Sequence, residues 1–260
     1  MNKLDFKGMK EWDAEVYDKS FGFISEYGSE LIELLNPQAG ERLVDLGCGV
    51  GQLTAKIKTF DCDVIGVDAD PDMIHLAQKK YPNIEFFCAK AEDFSIPDPV
   101  NACFSNAFLH WSLQPEKVIL NIAKNLKSGG RFVGEMGGHR NVITITDALY
   151  EALAEQSVER EKVKFPWFFP EKDYYISLLQ EGGFQVNKAY YFVRPTPLDD
   201  CPNGIKDWIQ MFATNFLKVV PENRVSEFLC RTEELCRDKL YTNGRWFADY
   251  TRLRFYAELL

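Results

Sequence analysis

The residues that could do chemistry in this chain gather around one corner, "LVDLGCGVGQL" at 43–53. Gly47, Gly49 and Gly51 alternate directly behind an apolar run and an acid, Asp45. Glycine reaches positive φ and lacks Cβ, so this is either a tight structural turn or a place where backbone N–H groups meet a ligand. A pyrophosphate-binding loop would read G-x-G-x-x-G, and Gln52 stands where its third glycine belongs. Asp45 would sit badly beside a pyrophosphate but suits a cation such as an amino-acid ammonium. The pattern therefore fits an adenosine that carries an amino-acid tail. "VIGVD" then ends in Asp68, 17 residues past Gly51, where an acid can accept hydrogen bonds from ribose hydroxyls. The plainer reading makes Asp68 one of three loop acids, with Asp70 and Asp72.

The elements that must position these residues follow from hydrophobic period. Between 42 and 136, short β-branched runs alternate with helical spacing. "RLVDLG", "DVIGVD", "NIEFFCAKA", "VNACFSNA" and "RFVGEM" read as five strands. Pro71 and Pro115 open two of the intervening helices, and "SGG" at 128–130 stops the second. Near-continuous apolar strands alternating with helices predict a parallel sheet covered on both faces, an α/β architecture. A helix precedes it at 20–35. Helical patterns follow at about 141–157, 171–181, 203–217 and 221–240, with two late strands at 184–194 and 246–259. The economical organisation is one domain over 1–260. It has an N-terminal helical segment (1–37), a cofactor-binding core (38–137) and late strands with inserted cap helices (138–260; caps about 141–181 and 203–240).

Composition removes several function classes. The net charge is −9 and Lys and Arg form no run, which argues against nucleic acid as the main partner. The first 30 residues contain no apolar signal-peptide core. No stretch approaches the roughly 18 uninterrupted apolar residues of a membrane span. Seven cysteines without a C-x-x-C pair form neither a zinc site nor a disulfide framework. They fit small buried hydrophobes in a reducing, cytoplasmic setting. No metal is expected, and oligomeric state is left open, with a monomer sufficient.

"VDLGCGVGQLT", "VIGVDADPDMI", "AKAEDF" and "FSNAFLHW", in that order, resemble the successive motifs of class I S-adenosylmethionine-dependent methyltransferases. "WDAEVYDKSFGFISEYGSELIELL" together with "FSNAFLHW" is most similar to the trans-aconitate methyltransferase-like branch. The resemblance implies a Rossmann-like sheet of seven strands, the last antiparallel and inserted beside the fifth. It implies S-adenosyl-L-methionine as cofactor and S-adenosyl-L-homocysteine as product. It places Gly47, Cys48 and Gly49 against the methionine part, with Asp45 anchoring that corner. Asp68 would hold the ribose, with Ala69 under the adenine and Met73 packing on the ring. Ala91 and Glu92 would edge the adenine, and the Asn106 carbonyl would meet the ammonium. Family members often carry an acid where this chain has Lys90. A lysine cannot accept from the adenine amino group, so Glu92 or Asp93 would have to substitute.

Methyl transfer from a sulfonium is an in-line displacement, so positioning and desolvation carry most of it. A carboxylate acceptor needs no base, whereas a hydroxyl acceptor does. His110 in "FLHW" is the candidate base, the alternative being a packing role. Tyr17 is the candidate to approach the sulfonium. His75 reads as an ordinary helix residue, and His139 lies nearer the rim. Aromatic residues that could wall an acceptor are Trp12, Phe21, Trp111, "FPWFF" at 165–169, Trp208 and Phe212, most of which also suit a core. Arg140, Arg194, Arg224 and Arg252 are candidates to clamp a carboxylate. The leading reading is methylation of a small-molecule acceptor at a carboxylate or hydroxyl oxygen. Alternatives are methylation of a carrier-bound acyl group and cofactor binding without transfer. A nicotinamide-dependent oxidoreductase conflicts with both Gln52 and Asp45.

Overall fold

The computed structural model describes residues 23–260. Tyr17, Trp12 and Phe21 lie outside the described residues. The chain forms two compact units. The first comprises residues 23–139 of the described chain, Trp167–Phe192 and Arg252–Leu260. It contains helix α1 (Phe23–Leu35), β1 (Arg42–Leu46), α2 (Gln52–Lys58), β2 (Asp63–Asp68), α3 (Pro71–Lys80), β3 (Glu85–Cys88) and β4 (Val100–Asn106). A 3₁₀ turn (Leu109–Trp111), α4 (Pro115–Asn125), β5 (Leu126–Gly137) and α6 (Lys172–Glu181) follow, with most of β6 (Phe184–Pro197) and the end of β8 (Arg245–Leu259). The fold is α/β, a mostly parallel Rossmann-like sheet flanked by helices. Its strand order is β3-β2-β1-β4-β5-β8-β6. β1 to β5 pair in parallel, and β8 runs antiparallel beside β5, from Arg131↔Glu258 to Gly137↔Arg252.

The period-2 alternation of the strands explains both covered faces. Val44, Leu46, Ile65, Val67, Phe132 and Phe255 point to one face, which packs with Val118, Ile119 and Ile122 of α4 and Leu178 and Leu179 of α6. Leu43, Val64, Ala102, Phe104 and Val133 point to the other, against Leu31, Ile32 and Leu35 of α1 and Ile57 of α2. Towards the strand ends this second face turns polar. Glu135, two residues beyond Val133, is fully buried between Arg252 and Arg254 of β8. Its Oε2 lies 2.6 Å from Arg254 Nη2 and its Oε1 3.4 Å from Arg252 Nε. Arg254 also reaches Glu30 of α1 at 3.1 Å. The Glu135 carboxylate neutralises part of the charge of two guanidinium groups, which in turn satisfy its oxygens, as burial of such charges requires.

The second unit comprises Arg140–Pro166 and Val193–Thr251 among the described residues. Its main helices are α5 (Ile143–Glu155), α7 (Ile205–Phe212), α8 (Thr214–Leu217) and α9 (Val225–Leu240), followed by β7 (Tyr241–Thr242). α5 and α9 are linked by the exposed bidentate pair Arg231–Glu155, at 2.7 and 2.8 Å. Tyr150 meets Phe216 edge-on at 5.0 Å. Asp249 holds the start of α5, accepting the Thr144 N–H at 2.8 Å through its carboxylate and the Val142 N–H at 3.1 Å through its carbonyl.

Three boundaries differ from the sequence expectation. "SGG" does not stop the helix before β5; α4 ends at Asn125, because Leu126 already pairs with Val100. The glycines instead form a bulge, across which the register passes to Ala102↔Arg131. The segment 203–217 is two helices, broken at Ala213 (φ −115°, ψ 31°). The hairpin β7–β8 was not anticipated, although "NG" at 243–244 is its direct signal. Asn243 and Gly244 both have positive φ, 53° and 79°, as a two-residue hairpin turn demands.

Removing one partner of a buried pair leaves the others uncompensated, at a cost of about 3–5 kcal/mol. Glu135→Gln should therefore lower the urea midpoint sharply, whereas Glu155→Gln, at the exposed pair, should leave it nearly unchanged. Equal midpoints for the two variants would refute the difference assigned to burial.

Candidate active site

β1 leads straight into the glycine corner. The Gly47 and Cys48 N–H groups both donate to the Val67 carbonyl, at 2.7 and 3.1 Å. The Gly49 N–H donates to Asp68 Oδ2 at 2.9 Å, and the Gly51 N–H to the Cys48 carbonyl at 3.0 Å. The expectation that these donors face a ligand is thereby corrected: each already has a partner within the protein. What the corner offers is bare surface. A Cβ on Gly47 (φ 75°) would lie 2.1 Å from the Phe108 ring, so that ring, carried by the loop after β4, seats directly on the glycine. A Cβ on Gly49 (φ 53°) would meet nothing within 4 Å, leaving room for a ligand to lie against the backbone. The Cys48 side chain packs beside Phe86 and Ile74, so Cys48 can face such a ligand only through its backbone.

Two acids flank this surface. Asp45 is buried and accepts the Thr54 hydroxyl at 2.6 Å. Burial pushes its carboxyl up to about 7; the Thr54 bond opposes that shift and the neighbouring Asp68 adds to it. Asp68, at the end of β2, is raised chiefly by burial, with the N–H groups of Asp70 and Gly49 opposing. Its Oδ1 accepts from Asp70 and its Oδ2 from Gly49, both at 2.9 Å. A carboxylate has about four lone-pair sites, so each oxygen keeps capacity for a hydroxyl donor. Two desolvated acids beside an open glycine backbone fit a ligand with an ammonium at one end and a diol further along.

The adenine-side candidates lie at the neighbouring strand ends. Ala69 is exposed, and Met73 is buried in the first turn of α3, whose N-terminus Asp70 caps. The loop after β3 begins with an Ala89 N–H bond to the Asp68 carbonyl, at 2.9 Å. Ala91 is buried with its carbonyl on Asn121 Nδ2, and Glu92 Oε1 accepts the Ser112 hydroxyl at 2.6 Å. Lys90 is exposed. Asn106 ends β4, buried and in register with Glu135.

His110 sits in the 3₁₀ turn after β4, buried beside Trp111 (5.5 Å between ring centres) and Phe169 (5.8 Å). Trp167 stacks on Phe169 at 5.5 Å and meets Trp111 edge-on at 6.0 Å. The Gly137 N–H donates to His110 Nδ1 at 3.2 Å. Burial, then the charge of Arg252, holds the imidazole well below its ordinary pKa of 6.5. The ring is therefore neutral, and with Nδ1 accepting, Nε2 carries the proton.

The sheet unit thus brings together Asp45, Gly47–Gly49, Asp68, Ala69, Met73, Ala91, Glu92, Asn106, His110 and Trp111. His139 is in the same unit but exposed, 3.1 Å from Glu171. Arg252 is buried on Glu135. Arg140, Arg194, Arg224, Trp208 and Phe212 belong to the second unit; there Trp208 Nε1 donates to the Tyr250 hydroxyl at 2.7 Å, and Arg224 pairs with Glu227. Sequence reasoning missed Thr54, Phe108, Ser112 and Glu135. Among the described residues no group of His, Cys, Asp and Glu is arranged to hold a metal, and no helix is long and apolar enough to cross a membrane.

Two outcomes follow for ligand and pH. Asp68→Ala should weaken S-adenosylhomocysteine binding by about 1–3 kcal/mol, measured by calorimetry. For Asp45, the folded pKa of about 7 lies above the ordinary 3.8. Its stability contribution is thus complete below about pH 4 and lost as pH rises through 7. Ligand-free protein should lose on the order of 2–4 kcal/mol between pH 4 and 8 from this group, and Asp45→Asn should flatten that slope in urea titrations.

Comparison with known proteins agrees with this geometry. The Methyltransferase domain model matches residues 44–134. An uncharacterized methyltransferase of Schizosaccharomyces pombe, C70.08c, is 31% identical over 264 residues, covering 95% of this chain and 97% of its own. Trans-aconitate 2-methyltransferase of Klebsiella pneumoniae is 24% identical over 252 residues, covering 94% and 96%. The crystal structure of YcgJ protein from Bacillus subtilis superposes with a TM-score of 0.59 at 15% identity, over 89% of this chain and 97% of that one, a likeness of fold. The near-full-length relative, the motif order and the two acids at the open glycine corner together establish that this chain belongs to the class I S-adenosylmethionine-dependent methyltransferases.

Proposed function

We propose that the acceptor is a small-molecule carboxylate, methylated on oxygen. The observation that carries this reading is the Gly137 N–H bond to His110 Nδ1. It turns the one histidine beside the β4 end into a hydrogen-bond donor through Nε2. A hydroxyl acceptor would need that histidine as a base, and a neutral ring with Nδ1 already engaged and a cation nearby is a poor one. A carboxylate needs donors instead, and it is already a nucleophile at neutral pH. The similarity to Trans-aconitate 2-methyltransferase of Klebsiella pneumoniae supports the same choice.

Under this reading the chain's own groups divide the work. Asp68 holds the ribose hydroxyls, Asp45 meets the ammonium, and the bare backbone at Gly49 receives the amino-acid portion. When bound, S-adenosylmethionine supplies an electrophilic methyl on a sulfonium. His110 Nε2–H orients one carboxylate oxygen, leaving the other to attack. The buried Arg252 adds positive potential next to that donor. Trp111, Trp167 and Phe169 keep water from the acceptor oxygen, which strengthens each of these interactions.

Supplying the enzyme with paired acids and alcohols of the same skeleton should yield S-adenosylhomocysteine and a methyl ester from the acids alone. With an active acid, kcat should stay flat between pH 6 and 9, because neither a carboxylate nor a neutral His110 titrates there. His110→Gln keeps an N–H and should retain most activity, whereas His110→Ala should lose roughly 10- to 100-fold. Turnover of alcohols that rises with pH and vanishes in His110→Gln would establish a base instead.

A further inference from the structure

The turn that carries His110 and the loop along the adenine side are joined by one short hydrogen bond. Ser112, buried and immediately after Trp111, donates from Oγ to Glu92 Oε1 at 2.6 Å, and its oxygen accepts the Gln114 N–H at 3.2 Å. Glu92 adjoins Ala91 in a loop whose sheet pairing has already ended at Cys88. Beyond that point the loop hangs on the segment 109–125. Asn121 Nδ2 donates to the Ala91 and Phe94 carbonyls at 3.1 and 3.0 Å. Asn125 Nδ2 donates to the Phe94 carbonyl at 3.3 Å, and its Oδ1 accepts the Ile96 N–H at 3.2 Å. The same segment is fastened at its other end by the Gly137 N–H on His110 Nδ1 and by the Phe168 N–H on the His110 carbonyl, at 2.8 Å.

We propose that Ser112 is a positioning residue that couples the two halves of the site. Ligand contact with Ala91 and Glu92 orders the adenine-side loop, and the Ser112–Glu92 bond passes that order to the His110 turn. A hydroxyl donating to a half-buried carboxylate is a charge-assisted bond, among the stronger hydrogen bonds. It also joins these two stretches directly, whereas the asparagines hold the loop from further along, on α4. Two ligand-ordered segments that share a restraint bind their ligands cooperatively, since the first to bind does part of the ordering for the second.

The proposal rests on the cofactor assignment, and hydrogen–deuterium exchange with S-adenosylhomocysteine as the probe separates the two. In the native protein, saturating probe should protect 47–53, 68–70 and 89–96, and also 108–114. Ser112→Ala should keep the first three and lose protection at 108–114, while its calorimetric Kd rises roughly three- to tenfold. Ser112→Thr, which keeps the hydroxyl, should restore both readouts. Glu92→Leu, which removes the acceptor, provides a second break of the same bond and should repeat the loss of protection at 108–114. Native protection that reaches 89–96 but not 108–114 would overturn the coupling and leave the cofactor assignment standing. Protection at 108–114 that survives Ser112→Ala or Glu92→Leu would do the same. No protection at 47–53 would overturn both.

Discussion

Two carboxyl groups held away from water at adjacent strand ends are the constraint around which this molecule is arranged. Asp45 stands one residue before the end of β1 and Asp68 ends the parallel neighbour β2, and the charge of Asp68 raises the proton affinity of Asp45. Without a cation they are a liability, since burial opposes their charge. The fold tolerates them through a few precise donors, Thr54 for one acid and the N–H groups of Gly49 and Asp70 for the other. Under the proposed function, a ligand bearing an ammonium and a diol would relieve both at once.

Much of this corner was legible in the sequence because its geometry is local. A strand, alternating glycines and a strand-ending acid form one supersecondary unit, and residue spacing alone locates Asp45, Gly47, Gly49 and Asp68. The direction of the backbone donors was not legible. It depends on the Val67 carbonyl of the next strand, which is 20 residues from Gly47 in sequence. The N–H groups of these glycines were read as able to meet a ligand, whereas each has a partner within the protein. Glu135, Arg252 and Arg254 were equally hidden. An acid in an apolar strand 117 residues before its partner arginine carries no periodic signal, and only the insertion of β8 beside β5 makes them neighbours.

His110 illustrates how residue type underdetermines role. From sequence it could serve as a base or merely pack. The structure adds the nitrogen it uses, and that one bond changes the chemistry open to it. The Gly137 N–H comes from the end of β5, so the identity of the proton-bearing nitrogen is set by strand packing and not by any feature of "FLHW". Ser112 is hidden for the same reason. Its partner stands 20 residues earlier, on a loop whose path the sheet does not determine. Function in this fold is therefore written in two layers, a local one that binds the donor and a nonlocal one that sets the acceptor side.

The place of β8 has a consequence for how the chain is made. β6 sits at the sheet edge beside β8, yet the last residue of β8, Leu259, lies 62 positions beyond Pro197. At about 5–20 residues per second, a ribosome needs roughly 3–12 s to supply the missing strand. Throughout that interval the far side of β5 and both sides of β6 are open templates for pairing with other chains. Lys188 within β6 and the prolines at its end, Pro195 and Pro197, are residue types that discourage such pairing. The nascent protein thus carries its own protection until the final strand closes the gap.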